Sequence, residues 1–206
     1  MITASHHPFY LLFYKSVVFL MMQLFFSRIK VRNHTTNNGK ALLIIGNHFS
    51  WWDGFFGLYA TEKALKRKLF VMMLEDQLAK RKFLSKIGAF SIKKNCRSVV
   101  DTFKYATYQL SNPKHAVLLF PQGRFQSQGS LPLQFQKGWI RIPKDAGNNH
   151  QMVFMACIMD YFSHMRPSLT IYLKDYTPPF DYKNPDVESA YNAFYLECLQ
   201  HQNAQS

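Results

Sequence analysis

Acidic residues are scarce in this chain, cysteines scarcer, and several familiar signatures are missing. Twelve Asp/Glu stand against twenty-five Lys/Arg, a formal net charge of +13. A field of that sign attracts polyanions: nucleic acid, anionic lipid headgroups or phosphorylated cofactors. The three cysteines, Cys96, Cys157 and Cys198, are odd in number and unevenly spaced. They make neither a disulfide framework nor a C-x-x-C zinc pattern, so packing roles in a reducing compartment are expected. No stretch has the composition of a long disordered linker, and no internal repeat occurs. Only the short polar tail Gln200–Ser206 is of low complexity. A chain of 206 residues without such breaks reads as one domain with a real core. A G-x-S-x-G nucleophile elbow and a P-loop are both absent, which counts against an ordinary hydrolase. No helix-turn-helix, RNP motif or zinc finger is present either. The many aromatics lie in apolar runs and are not interleaved with Lys/Arg, so core packing is expected of them and nucleic-acid binding is not.

The most apolar run is Phe9–Phe26, broken only by Lys15, Ser16 and Gln23 and followed by Arg28, Lys30 and Arg32. Its length approaches a membrane span, but Lys15 inside it disfavours spanning. An interfacial helix is expected, its basic flank on anionic lipid. A cleavable signal is not expected, because a basic n-region and a small-residue cleavage site are missing. Asn33–Lys40 reads as a polar loop. Leu42–Ile45, Leu69–Leu74, Ala89–Lys93, Ala116–Phe120, Met152–Met159 and Leu169–Leu173 read as strands. Helices are expected from Phe55 to about Lys66, over Asp76–Lys86, from Ser98 to before Pro113, over Phe135–Lys144, and from Asn184-Pro185 onward. Strand and helix alternate, so the fold class is α/β: a central, largely parallel mixed sheet flanked by helices. Between Glu62 and Arg97, eleven Lys/Arg meet three Asp/Glu, concentrating the basic charge there.

Within this pattern Asn47-His48-Phe49-Ser50-Trp51-Trp52-Asp53 leaves the Leu42–Ile45 strand. Residues five apart on a regular helix do not share a face. His48 and Asp53 can meet only with His48 in the loop and Asp53 in the first helical turn. Ser50-x-x-Asp53 has the capping-box form that would place Asp53 there. A carboxylate on one ring nitrogen would leave the other as a general base. A second loop, Pro121-Gln122-Gly123-Arg124, follows another strand. The carboxyl edge of an open α/β sheet, where both would stand, is where ligands bind.

These segments together resemble the glycerolipid (lysophospholipid) acyltransferase superfamily. Asn47–Asp53 fits every specified position of its Asn-His-x-Ser-x-x-Asp motif. Phe120–Phe125 fits Phe-Pro-Glu-Gly-Thr-Arg in part: Gln122 replaces Glu, Arg124 stands at Thr, and Phe125 stands at Arg. Lys86–Lys94 is a weakened second motif, with Lys94 or Arg97 offered for its Arg. Met152–Ile158 resembles the fourth, without its Pro.

The resemblance implies an apolar membrane-associating helix with its basic flank over residues 1–32, and an acyltransferase domain over 33–206. It implies transfer of a fatty acyl group from acyl-CoA or acyl carrier protein to a hydroxyl of a lysophospholipid, glycerol phosphate or related lyso-lipid. No bound cofactor and no metal are expected. His48 would be the base and Asp53 its partner. Asn47, Ser50, Lys94, Arg97, Gln122, Gly123 and Arg124 would contact substrate, the cations through phosphate and a backbone N–H near Gly123 through the oxyanion. Partners would be an anionic membrane surface, its lipid acceptor and the acyl donor, at the cytoplasmic face. The altered Gln122–Phe125 segment leaves the acceptor headgroup open. It also motivates the competing reading, a catalytically idle membrane-binding relative; a basic nucleic-acid-binding module is the other.

Overall fold

A computed structural model describes residues 1–93, 97–178 and 181–204 of the chain. The helices are α1 (Pro8–Phe25), α2 (Asp53–Ala60, extended by a π-helical turn Thr61–Leu65), α3 (Glu75–Lys80, followed by a 3₁₀ segment Lys82–Ile87), α4 (Val99–Gln109), α5 (Arg141–Ala146) and α6 (Asn184–Asn203). The strands are β1 (Arg28–His34), β2 (Ala41–Gly46), β3 (Lys68–Leu74), β4 (Ala89–Ile92), β5 (His115–Leu119), β6 (His150–Asp160) and β7 (Ser168–Tyr176). Among the described residues these strands form one seven-stranded sheet in the order β1-β7-β6-β2-β5-β3-β4. Only the β6–β7 pair is antiparallel; the other pairs are parallel. The α/β class and largely parallel sheet expected from the sequence are therefore what the chain adopts.

Every residue of β2 is buried, as expected of a central strand covered on both faces. Leu43 and Ile45 join Val117, Leu119, Phe154 and Tyr191 on the face covered by α4, α5 and α6. Leu42 and Ile44 join Leu118, Phe56, Val18 and Met22 on the face covered by α1 and α2. Gly46 ends the strand where a Cβ would lie 3.0 Å from the Phe120 ring and 3.1 Å from Met155. The chain can turn toward the site there because the residue has no side chain.

Three expectations give way. Arg28, Lys30 and Arg32, the expected basic flank of the helix, lie in a strand, and Asn33–His34 do not belong to a loop. They form β1, an edge strand parallel to β7, so the boundary placed after Arg32 falls inside a strand. The Asp76–Lys86 helix is two short pieces, broken at Arg81, whose φ is −133°. The expected Phe135–Lys144 helix shrinks to Arg141–Ala146. Gly138 stands inside the expected range with φ of 103°, which interrupts helical geometry there. Leu133 N–H goes to Asn192 Oδ1 at 2.7 Å and Phe135 N–H to Glu188 Oε2 at 2.6 Å, both side chains from α6. The stretch after β5 is thereby moored across α6 as an irregular loop.

Lys15, the charge inside the apolar run, lies on the docked side of α1 and pairs with Glu62. Leu11, Lys15, Val18 and Met22 follow helical spacing on that side, and Val18 and Met22 are buried. The opposite side leaves Phe9, Leu12, Phe13, Leu20 and Leu24 exposed. Among the described residues α1 is the one helix long and apolar enough to cross a membrane.

Candidate active site

The turn after β2 is organised by one carboxylate. Asp53 is 0% exposed. Its Oδ2 accepts three hydrogen bonds: from His48 Nδ1 at 2.8 Å, Phe49 N–H at 2.8 Å and Ser50 N–H at 3.0 Å. The last is one half of the capping box expected from Ser50-x-x-Asp53. The other half differs: Ser50 Oγ accepts from Trp52 N–H at 3.2 Å, and the helix begins at Asp53 itself. Burial pushes the Asp53 carboxyl above its usual range, against the pull of these hydrogen bonds. With Asp53 on Nδ1, that nitrogen carries the proton and Nε2 of the neutral ring is the basic atom. The ring is a quarter exposed. It lies between Phe120, stacked at 4.6 Å, and Phe125, tilted at 4.2 Å.

His48 sits at the rim of a cavity of about 570 Å³. Leu69, Val71, Leu84 and Ile87 line one part, and Val99, Phe103 and Trp139 another. The cavity therefore draws on both faces of the sheet where β3 and β5 end. Arg81, Arg124 and Lys137 are its cations, and no Asp or Glu lines it among the described residues. Apolar walls with a few cations near an imidazole suit a molecule with a long hydrocarbon part and an anionic part.

The expected site residues separate into distinct groups. His48, Gly123 and Arg124 line the cavity, and Asp53 is bound to His48 from beneath. Asn47 does not face substrate. It is buried, its Nδ2 donating to Cys157 O at 2.9 Å and its Oδ1 accepting from Cys157 N–H at 2.8 Å. Both ends of its amide tie β2 to β6, which removes it from the substrate contacts expected of it. Ser50 shapes the turn and does not line the cavity. Gln122 is buried as well. Its Oε1 accepts from His48 N–H at 2.6 Å, and its Nε2 donates to Gln126 Oε1 at 2.7 Å. It holds the His48 loop and does not reach the acceptor. Gly123 N–H already donates to Phe120 O at 3.0 Å inside a turn with φ of 64°, so that N–H does not point at an oxyanion. Arg97 is exposed in the turn before α4 and lies off the cavity. Lys94 lies outside the described residues.

Sequence reasoning missed Phe125 as a cover for the imidazole and Arg81 and Lys137 as cavity cations. The basic excess between Glu62 and Arg97 contained Arg81 without distinguishing it; nothing local marked Lys137.

A family profile described as acyltransferase matches residues 28–160. The chain belongs to the acyltransferase family. That match spans both site loops, from the edge strand to the end of β6. No curated protein matches the chain. Among solved structures, the crystal structure of the 1-acyl-sn-glycerophosphate (LPA) acyltransferase PlsC from Thermotoga maritima is similar, with a TM-score of 0.61 and 12% identity. The likeness covers 93% of this chain and 79% of that one. At that identity it speaks for a shared fold, and this acyltransferase carries its own side chains on it.

Proposed function

We propose that the protein moves a fatty acyl group from a thioester, acyl-CoA or acyl carrier protein, onto a hydroxyl of a lysophospholipid, glycerol phosphate or related lyso-lipid. The observation that carries this reading is the 2.8 Å bond from His48 Nδ1 to buried Asp53, with the ring at the rim of an apolar, cation-bearing cavity. Nε2 takes the proton of the acceptor hydroxyl as its oxygen attacks the thioester carbonyl. The resulting imidazolium is held by Asp53 and returns the proton to the departing thiolate. Direct transfer fits the described cysteines, which make poor nucleophiles. Burial pushes the Cys157 thiol well up and the Cys198 thiol to about 12. Arg124, Lys137 and Arg81 suit the phosphate of the acceptor or donor, and Leu69, Val71, Leu84 and Ile87 suit an acyl chain.

The exposed apolar side of α1 supports membrane association, with the helix lying in the interface and Lys15 turned to the protein. The net positive charge suits an anionic leaflet on the cytoplasmic side.

The deciding experiment supplies labelled acyl-CoA and a panel of lyso-lipids to the purified protein and its His48→Ala variant. Thiol release coupled to a new diacyl lipid, lost in the variant, is the expected result. An inactive wild-type protein, or a variant of equal activity, overturns the proposal.

A further inference from the structure

Residues 161–167, the connection between β6 and β7, carry a cluster that acyl transfer does not use. Tyr161, Phe162 and Met165 are all exposed, Met165 by 99%. Phe162 has φ of 45°, a conformation bulky residues rarely hold. Turns ordinarily place small or polar residues at such positions. Single exposed apolar residues need no explanation, but three in one turn tip mark an interaction surface.

Topology places this turn beside the site. β6 runs parallel to β2, so it leaves the sheet at the same edge as the His48 loop. β7 and β1 run the other way, so both begin at that edge, and α1 ends there two residues before β1. The contact with α1 is direct. Arg166 Nη1 donates to Leu24 O at 2.9 Å and to Gln23 O at 3.3 Å, and Ser27 N–H donates to Pro167 O at 2.8 Å. The last carbonyls of a helix lack partners of their own, and a cation suits that end. Arg166 thus locks the turn to the end of α1, where Leu24 and Phe25 are exposed. From Phe25 the aromatic contacts pass through Trp52 at 5.6 Å to Trp51, on the cavity rim.

We propose that the β6–β7 turn is a second membrane-inserting element, pressing Tyr161, Phe162 and Met165 into an anionic bilayer beside the end of α1. The occupant is a lipid surface for two reasons. The turn that carries the cluster is hydrogen-bonded to the end of α1, whose apolar side is exposed, and the +13 chain complements anionic headgroups. This rests on the reading of α1 as membrane-facing. Two contacts at the same sheet edge fix the rotation of the protein about α1, which one helix cannot do. They bring the Trp51 rim against the membrane, where a lyso-lipid resides.

The test measures partition of the full chain onto vesicles of phosphatidylcholine with phosphatidylglycerol. The triple variant Tyr161→Ser/Phe162→Ser/Met165→Ser is expected to bind at least about tenfold more weakly, from the apolar area withdrawn from lipid. An α1 variant, Phe9→Ser/Leu12→Ser, is measured beside it. Loss in the α1 variant with full binding in the turn variant overturns the turn proposal and leaves the α1 reading intact. No loss in either, or no binding by the wild type, overturns both. Sedimentation without lipid covers the other occupant: a dimer broken by the turn variant, with vesicle binding unchanged, also overturns the proposal. Should the triple variant misfold, Met165→Trp is read by fluorescence with brominated lipid. Added emission quenched by the bromines is expected, and added emission left unquenched refutes insertion.

Discussion

His48 N–H donates to Gln122 Oε1 at 2.6 Å, joining two loops whose residues lie 74 apart in sequence. Gln122 Nε2 continues to Gln126 Oε1 at 2.7 Å, and Gln126 N–H returns to His48 O at 2.9 Å. The backbone of the proposed base is clasped on both its donor and its acceptor. Gln122 is therefore a positioning residue. Gln122→Ala is expected to lower kcat about 10- to 100-fold with little change in KM, because a misplaced base loses rate more than binding. Gln122→Glu keeps an acceptor for His48 N–H once the Gln126 amide turns its NH₂ toward it, so most activity should survive. Steady-state kinetics of the two variants check this; equal losses would refute the acceptor role.

Asp53→Asn should separate activity from stability. Burial raises the Asp53 carboxyl, so the folded state holds that proton more tightly than the unfolded chain does. Ionisation at neutral pH then costs stability, a cost that is full above the raised value and fades as pH falls from it to the ordinary carboxyl value of 3.8. Asparagine keeps an oxygen for Phe49 and Ser50 N–H and removes the charge. The variant should melt at or above the wild-type Tm at pH 7 while kcat falls on the order of 10³-fold, through a wrong His48 tautomer. Melts and turnover on one preparation decide it, and a lower Tm with full activity would contradict both halves.

Acid should weaken the fold through buried histidines. Burial lowers His150 from 6.5 to about 4, and His6 likewise to about 4. Between those values the unfolded chain takes up protons that the folded one refuses. Stability is thus fully present above 6.5 and drains away as pH drops toward 4. Urea midpoints at pH 7 and pH 5 are expected to differ, and His150→Phe should narrow the difference. Identical pH dependence in the variant would mean that His150 protonates normally in the fold.

Gly88→Ala is expected to destabilise by about 3 kcal/mol or more. The residue has φ of 114°, and a Cβ there would lie 2.2 Å from Leu69 O, a backbone atom unable to step aside. Gly129→Ala is the control: a Cβ there meets nothing within 4 Å, and a change within about 0.5 kcal/mol is expected. Equal urea midpoints for the two variants would count against the clash.

The parallel strands were readable because both faces of the sheet are covered, which turns β2, β5 and β6 into unbroken apolar runs. β1 was not, since an edge strand with Arg28, Lys30, Arg32 and Asn33 has no such run and owes its place to pairing with β7. The His48–Asp53 contact was readable because both partners lie in one short turn. Where Asn47 and Gln122 point was not, for their partners, Cys157 and His48, come from distant segments. The irregular stretch after β5 likewise depends on Asn192 and Glu188, which no local pattern announces.

Everything Asp53 holds, the ring of His48 and the amides of Phe49 and Ser50, comes from the five residues before it. Contacts from elsewhere aim this unit without assembling it. Such a unit is portable: substitutions across the rest of the scaffold can accumulate for as long as some strand end remains to carry it, without pulling histidine and aspartate out of alignment.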